Sequence, residues 1–522
     1  MRNCSIGAGN PQRLPFALND HATRTAVTLA VLLAFAIRLY LSLTSYCIAG
    51  DGVAYLAMAR DFAAGDLAKA LASVFSPLYP LFVSIAQRLI LDWELAGNIV
   101  SAILGSAAVV SVYLMTRATF ERRDLAIGAA ILVAIHPEMA AYSASVRTEA
   151  GFIFFLTTAV WLLISGLKNE RIAFVAAAGL IGGLAYLYRT EAIGLLIFGV
   201  GFVLAAALWW RQWSFPWTIA ASTAFAIMFL VVASPYLIYL RETTGHWSVG
   251  REFAAAMMYG MGTVAPDTLA WQRLGYSTDV SPFAPLFANP RLYLEKVGAD
   301  FFGSLYGFIQ AFGPLLFFLL IVGLWQRRRT IPANLGEALL ALLTAFYIVG
   351  FSFSYTGARF MLHLISFSFG WVMIGLVTMS EWLSRVSAGR RFPHIPQYAF
   401  AIAIVLVLLP QTLWPIGYDM RGVRYAGEEI ARRTSGKPGA VAARDGRFAY
   451  YAGARFILLP TGAVSDLCAW LRAHNHADYL ALDNHDERRL GAASNPQCIS
   501  LVQRYPRYGD AYYDLFEVRR SK

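Results

Sequence analysis

Eleven stretches of about twenty mostly apolar residues recur along this chain, which is the length a helix needs to cross a bilayer. They lie near residues 24–45, 97–116, 125–143, 150–167, 171–188, 192–210, 217–239, 309–326, 335–354, 360–380 and 398–415. In lipid every backbone N–H and C=O must be paired inside the protein, so segments of this kind read as helices. Composition agrees: 58% of the residues are hydrophobic and 14% are charged, against about 25% charged in soluble domains. The fold class expected is mainly α, a polytopic bundle of about 11 spans.

The short connections distinguish the two sides of the membrane. Arg117, Arg122 and Arg123 follow the second span, Lys168 and Arg171 the fourth, and Arg211 the sixth. Arg327, Arg328 and Arg329 follow the eighth, and Arg385, Arg390 and Arg391 the tenth. Every second connection is basic, so these connections face the cytoplasm. The N-terminus is then expected inside and the C-terminal tail outside. The net charge of +11 follows from the same bias, and no nucleic-acid partner is expected. The first apolar segment is long for a cleaved signal, and Tyr46 before Cys47 lacks the small residue a lipoprotein cleavage box needs, so it is read as a span.

This divides the chain into a cytoplasmic segment 1–23, a membrane domain 24–415 with external loops 46–96 and 240–308, and an external domain 416–522. The last is richer in charge. Short apolar runs at Ala440-Val441-Ala442 and Phe456-Ile457-Leu458-Leu459, with a helical pattern over 465–474, predict a small α/β domain. Cys468 and Cys498 both fall in it, and either a disulfide or two buried thiols fits the sequence. His474, His476, Asp483 and His485 form a polar turn rather than a set of metal ligands, because nothing fixes their geometry.

The chemistry is sought at the outer surface. Gly50-Asp51-Gly52-Val53-Ala54-Tyr55 follows the first span, with Asp51 and Tyr55 on one face of a helix. Asp51 could cap that helix or act as a base at headgroup depth. The amphipathic pattern 53–64, then Ser76-Pro77-Leu78-Tyr79-Pro80-Leu81 and the short apolar run 82–91, predict two helices lying in the interface. Arg147, Arg189, Arg241 and Arg359 share that level. Arginine anchors helix ends by snorkelling, and its planar fork also suits phosphate. Arg147-Thr148-Glu149 is echoed by Arg189-Thr190-Glu191. The threonines could cap helices, and the glutamates could favour positive helix ends or contact substrate. Together these residues suit transfer from a lipid-linked phosphate donor. Asp51 would take a proton from the acceptor hydroxyl while arginines stabilise the leaving phosphate, with inversion at the anomeric carbon.

From these motifs the chain resembles the polytopic GT-C glycosyltransferases, in the group of protein O-mannosyltransferases and lipid A aminoarabinose transferases. The resemblance covers roughly 25–415 and rests on the Asp51 stretch with Ala57 and Ala59, Ser76-Pro77-Leu78-Tyr79-Pro80, His136-Pro137-Glu138 leading to Thr148-Glu149, Gly183-Leu184-Ala185 with Arg189, and Ala358-Arg359-Phe360. It implies a polyprenyl-phosphate sugar donor, a lipid, glycan or protein acceptor, and a bacterial inner membrane setting among membrane lipids. Asp51 would be the catalytic base, and Tyr55, Arg147, Glu149, Arg189, Glu191, Arg241 and Arg359 would line the substrate site. Many members carry a second acid after the first; this sequence has Gly52. No metal or other cofactor is expected. The competing readings are a ligase or polymerase of lipid-linked glycans, a lipid or sugar transporter, and a non-catalytic assembly subunit.

Overall fold

The computed structural model describes residues 19–210, 213–251, 256–257, 286–287, 289–354, 356–387, 396–435, 439–460, 466–473, 477–490, 492, 495–507 and 511–519. The turn proposed around His474 and His476 lies outside them, as does most of the loop between 252 and 288.

The helices run α1 (Asp20–Leu43), α2 (Gly50–Ala63), α3 (Leu67–Leu71), α4 (Leu78–Ile90), α5 (Trp93–Phe120), α6 (Arg123–Ile135), α7 (Pro137–Tyr142), α8 (Glu149–Lys168), α9 (Ile172–Tyr188), α10 (Ile193–Trp210), α11 (Phe215–Thr244), α12 (Pro290–Arg327), α13 (Leu335–Phe351), α14 (Leu362–Ser387) and α15 (Pro396–Thr412). Local chemistry starts several of them. The side chains of Asn19, Asp92 and Asn334 accept from the backbone N–H three residues on, at 2.7, 2.7 and 3.0 Å.

Each apolar segment read from the sequence is met by a helix, and among the described residues seven helices are long and apolar enough to span alone. The expected third span, 125–143, is instead broken into α6 and α7. Pro137 holds His136 extended, with ψ 125°, and ends the first piece there. The eighth is the second half of α12, which kinks at Gly313-Pro314, where Gly313 has φ 70°.

All the basic connections described gather at one end. Arg123 pairs with Asp20 and Lys168 with Glu121, Asn334 donates to the Thr119 carbonyl, and Trp217 to that of Glu170. We call this the basic end. Within the bundle, lipid supplies no hydrophobic drive to pair helices, so close backbone approach matters. A Cβ on Gly323 of α12 would fall 1.9 Å from the Trp371 carbonyl of α14, and one on Gly375 of α14 1.9 Å from the Leu319 carbonyl of α12.

The tail folds as expected into an α/β domain: α16 (Arg421–Arg433), β1 (Ala440–Ala443), α17 (Arg447–Ala452), β2 (Arg455–Leu458), α18 (Leu467–Ala473), β3 (Tyr479–Asp483), α19 (Asn484–Arg489), β4 (Ile499–Pro506) and β5 (Tyr512–Val518). The sheet order is β2-β1-β3-β5-β4. β1 lies parallel to β2 and β3, with Val441 opposite Phe456 and Tyr479, and β5 runs antiparallel to β3 and β4. Cys468 and Cys498 are joined in a disulfide, their Cα atoms 5.7 Å apart.

The domain docks on the end opposite the basic loops. Tyr46 N–H donates to the Ile416 carbonyl (2.9 Å), and Ile48 N–H to the Tyr451 hydroxyl (2.6 Å). The Arg447 guanidinium reaches the Ile48 carbonyl at 3.4 Å. Cys47 is buried in this joint, and burial pushes its thiol up to about 12.

Candidate active site

Asp51 is the second residue of α2 and does not cap it. The cap position is Ala49, which has no side-chain hydrogen bond, and Asp51 turns towards the bundle instead. Its Oδ2 accepts from Arg359 Nη1 at 2.6 Å. Arg359 lies on the short turn Ala358–Met361 leading into α14, and its Nε donates to Glu149 Oε1 at the start of α8. The same Glu149 oxygen accepts from Arg189 Nη1 (3.2 Å), and Arg189 pairs in turn with Glu191. One chain of ion pairs therefore runs Asp51–Arg359–Glu149–Arg189–Glu191, joining segments up to 308 residues apart.

The two Arg-Thr-Glu echoes converge here, each in a different way. Thr148 makes no side-chain cap; its hydroxyl accepts from Arg189 at 3.1 Å. Thr190 opens a short 3-10 turn, also without a side-chain cap. The capping reading of both threonines is thus corrected: the arginine of the second echo takes up the threonine and glutamate of the first. Arg147 stays outside this chain of pairs, its guanidinium 4.5 Å from the Tyr142 ring centre. Arg241 is set apart: it sits in the last turn of α11 and donates to the Gly245 carbonyl.

Tyr55 is buried one turn beyond Asp51, its ring 4.7 Å from that of Phe75 and 5.3 Å from that of Tyr79. Burial, and after it the Asp51 carboxylate, push the Tyr55 phenol well above its ordinary range, so it stays protonated. Tyr79, from the Ser-Pro-Leu-Tyr-Pro run, is part of the framework. It donates to the Gly97 carbonyl and accepts from Ser101, which also bonds the Arg147 carbonyl, at 3.1, 3.2 and 3.1 Å.

Gly52 finds its reason in packing. A Cβ there would lie 2.8 Å from Ile48 Cγ1 and 3.1 Å from Val146 Cβ. An acidic side chain would press on the Ile48 side chain and on Val146, in the segment that leads into Glu149.

Glu149, Arg189, Glu191 and Arg359 line a narrow cleft with Phe360 and His363. In the sequence Phe360 stands out only within the Ala358-Arg359-Phe360 run, with no role at the site, and His363 is not singled out. Phe360 lies under both guanidiniums, with centroid distances of 5.5 Å to Arg189 and 5.7 Å to Arg359. His363, four residues beyond Arg359, is buried with its ring 5.1 Å from that of Phe152. Helical spacing from Arg359 was the signal available for it. Arg359 engages Nε and Nη1, and its Nη2 has no hydrogen-bond partner among the described residues. Glu149 Oε2 is buried and finds no partner among the described residues. Nor, among those residues, do three His, Cys, Asp or Glu groups gather to hold a metal ion.

Comparison with known proteins adds a family signature and a fold. Residues 74–239 match the family model described as dolichyl-phosphate-mannose-protein mannosyltransferase. That stretch contains Arg147, Glu149, Arg189 and Glu191 but neither Asp51 nor Arg359. No curated protein matches the chain significantly. Among solved structures, ArnT from Cupriavidus metallidurans bound to undecaprenyl phosphate superposes with a TM-score of 0.57 at 13% identity, over 95% of this chain and 98% of that one. The Archaeoglobus fulgidus oligosaccharyltransferase tethered with an acceptor peptide gives 0.52 at 13% identity, over 89% of this chain and 69% of the other. The chain accordingly has the GT-C fold of the polytopic membrane glycosyltransferases, and its segment 74–239 bears the signature of their mannosyltransferase family.

Proposed function

We propose that this protein transfers a sugar from a polyprenyl-phosphate donor to an acceptor hydroxyl, with inversion, at the membrane face that carries the C-terminal domain. The observation that carries the reading is the Asp51–Arg359 pair, which places a carboxylate beside a guanidinium with a donor to spare. The donor phosphate sits against Arg359 and Arg189. Beside them lies an apolar groove lined by Ile193, Phe346, Tyr347 and Phe351, which suits a polyprenyl chain. As the phosphate draws on Arg359, Asp51 Oδ2 is released to the acceptor.

The acceptor O–H then gives its proton to Asp51, and its oxygen bonds to the anomeric carbon. The bond from that carbon to the phosphate oxygen breaks, and its electron pair leaves with the phosphate. Arg359 and Arg189 stabilise the charge that grows there. Tyr55, kept neutral, packs Asp51 in place. The Cys468–Cys498 disulfide supports an oxidising, extracytoplasmic setting for this face, and the basic loops at the other end support the same orientation.

The test is transfer by the purified protein in lipid from polyprenyl-phosphate sugars of defined anomeric configuration, with the product read by NMR. An inverted linkage is expected. A retained linkage, or no use of any such donor, overturns the reading.

A further inference from the structure

A second cavity opens on another face of the helix that carries Asp51. α2 turns Gly50, Val53, Ala54 and Ala57, spaced as one helical stripe, towards a large cleft. Asp51 and Tyr55 occupy the neighbouring stripe. The opposite wall is the C-terminal domain, and its place there follows from the sheet.

In the order β2-β1-β3 the chain leaves β1 on one side to form β2 and returns on the other to form β3. The carboxyl ends of β1 and β3 therefore bound the kind of crevice in which open α/β sheets take their ligands. Arg444 and Asp445 follow β1 directly, Asp483 ends β3, and all three line the cleft.

The lining selects a class of ligand. Arg444, Arg447 and Arg507 pair with Asp486, Asp445 and Asp483, at 3.1, 2.5 and 3.4 Å, and Asp486 also takes Arg489 from behind the wall at 2.9 Å; the lining itself carries three charges of each sign. A phosphate or an acidic peptide would call for surplus cations. A neutral polyol donates to carboxylates, accepts from guanidiniums and lays its C–H face on an aromatic ring, here the half-buried Phe456. Asp445 and Asp483 keep 26% and 24% of their side chains exposed, so both can be reached.

We infer that this cleft holds the neutral saccharide part of the acceptor and leads its hydroxyl around the first turn of α2 to Asp51. Gly50 stands at that turn, with open space where a Cβ would be. Delivery to Asp51 rests on the function proposed above; binding in the cleft does not.

The experiment therefore reads binding. The full-length protein in nanodiscs of neutral lipid is probed by saturation-transfer-difference NMR with the methyl glycosides of glucose, galactose and mannose, with and without inorganic phosphate. At least one glycoside should receive saturation, and phosphate should leave it unaffected. Ala57→Trp, on an exposed position of one wall, and Arg507→Gln, on the other, should each weaken binding about tenfold, the loss of one charged hydrogen bond or its equivalent. Asp51→Asn should keep it. No saturation in the wild type, displacement by phosphate, or a signal unchanged in either cleft variant overturns the inference. Absence of sugar transfer in the separate donor assay would overturn the function alone.

Discussion

Two buried glutamates, one at each end of the bundle, are paired with arginine and finished differently. At the basic end Glu337 is fully buried. Arg327 donates to both its oxygens, and Trp371 adds a hydrogen bond to Oε2 at 3.0 Å. Its partners lie at most 34 residues away and both oxygens are hydrogen-bonded. At the Asp51 end Glu149 is equally enclosed, yet Oε1 serves two arginines, and Oε2 meets no partner among the described residues. An unmet buried acceptor costs about 1–3 kcal/mol. A bundle that only needed tying together would be finished like Glu337. On the function proposed above, the open oxygen of Glu149 and Arg359 would serve a ligand that brings a donor and an anion, such as a sugar phosphate.

The largest effect that would sharpen this contrast is at the base. Asp51→Asn should lower sugar transfer roughly 100- to 10,000-fold, measured in membranes at matched protein level; near-normal transfer would remove Asp51 from the chemistry. The two glutamates should then separate. Glu337→Ala, which leaves Arg327 and the Trp371 N–H facing an empty position, should destabilise the fold by about 3–5 kcal/mol, seen as a lower melting temperature in detergent. Glu149→Gln should cost activity far more than stability, and equal melting losses in the two variants would erase the distinction.

Arg189→Gln and Arg359→Gln should each raise the KM for the donor about tenfold or more, the worth of a charged hydrogen bond. Arg241→Ala, away from the ion-pair chain, should leave the donor dependence as it is, and a matching rise there would extend the site to α11. The smallest effect concerns the docked domain. With its thiol pushed up to about 12, Cys47 is almost wholly protonated at neutral pH. In a Cys4→Ser background it should resist maleimide until the domain is released. The raised value also means that its contribution to docking is fully present below the free-thiol range near 8.5 and is lost as pH rises towards 12. Rapid labelling of the folded protein at pH 7 would show the joint to be open.

Much of this was legible in the chain. Apolar length located the helices, because lipid leaves the backbone no other way to pair, and alternate basic loops sorted their ends. The break at His136-Pro137 was legible too, in the proline itself, but a count of apolar residues passes over it. Asp51 stood out by its neighbours, whereas its partner Arg359 was one of four equivalent arginines. Nothing within one segment could tell Arg359 and Arg189 from Arg241. That choice depends on which helix ends meet, and the meeting is made by packing between residues as far apart as 51 and 359.

By itself, then, the sequence determined a membrane bundle, its two ends, the small α/β domain and the residue types available for phosphate chemistry. These follow from hydropathy and charge, which act locally. Tertiary structure alone decided that Cys468 meets Cys498, that Gly52 has no room for a side chain, and that two echoed Arg-Thr-Glu runs share one ion-pair chain. It also decided that the crevice of the C-terminal sheet opens onto α2. Such facts are distances between remote parts of the chain, and distance is what folding adds to composition.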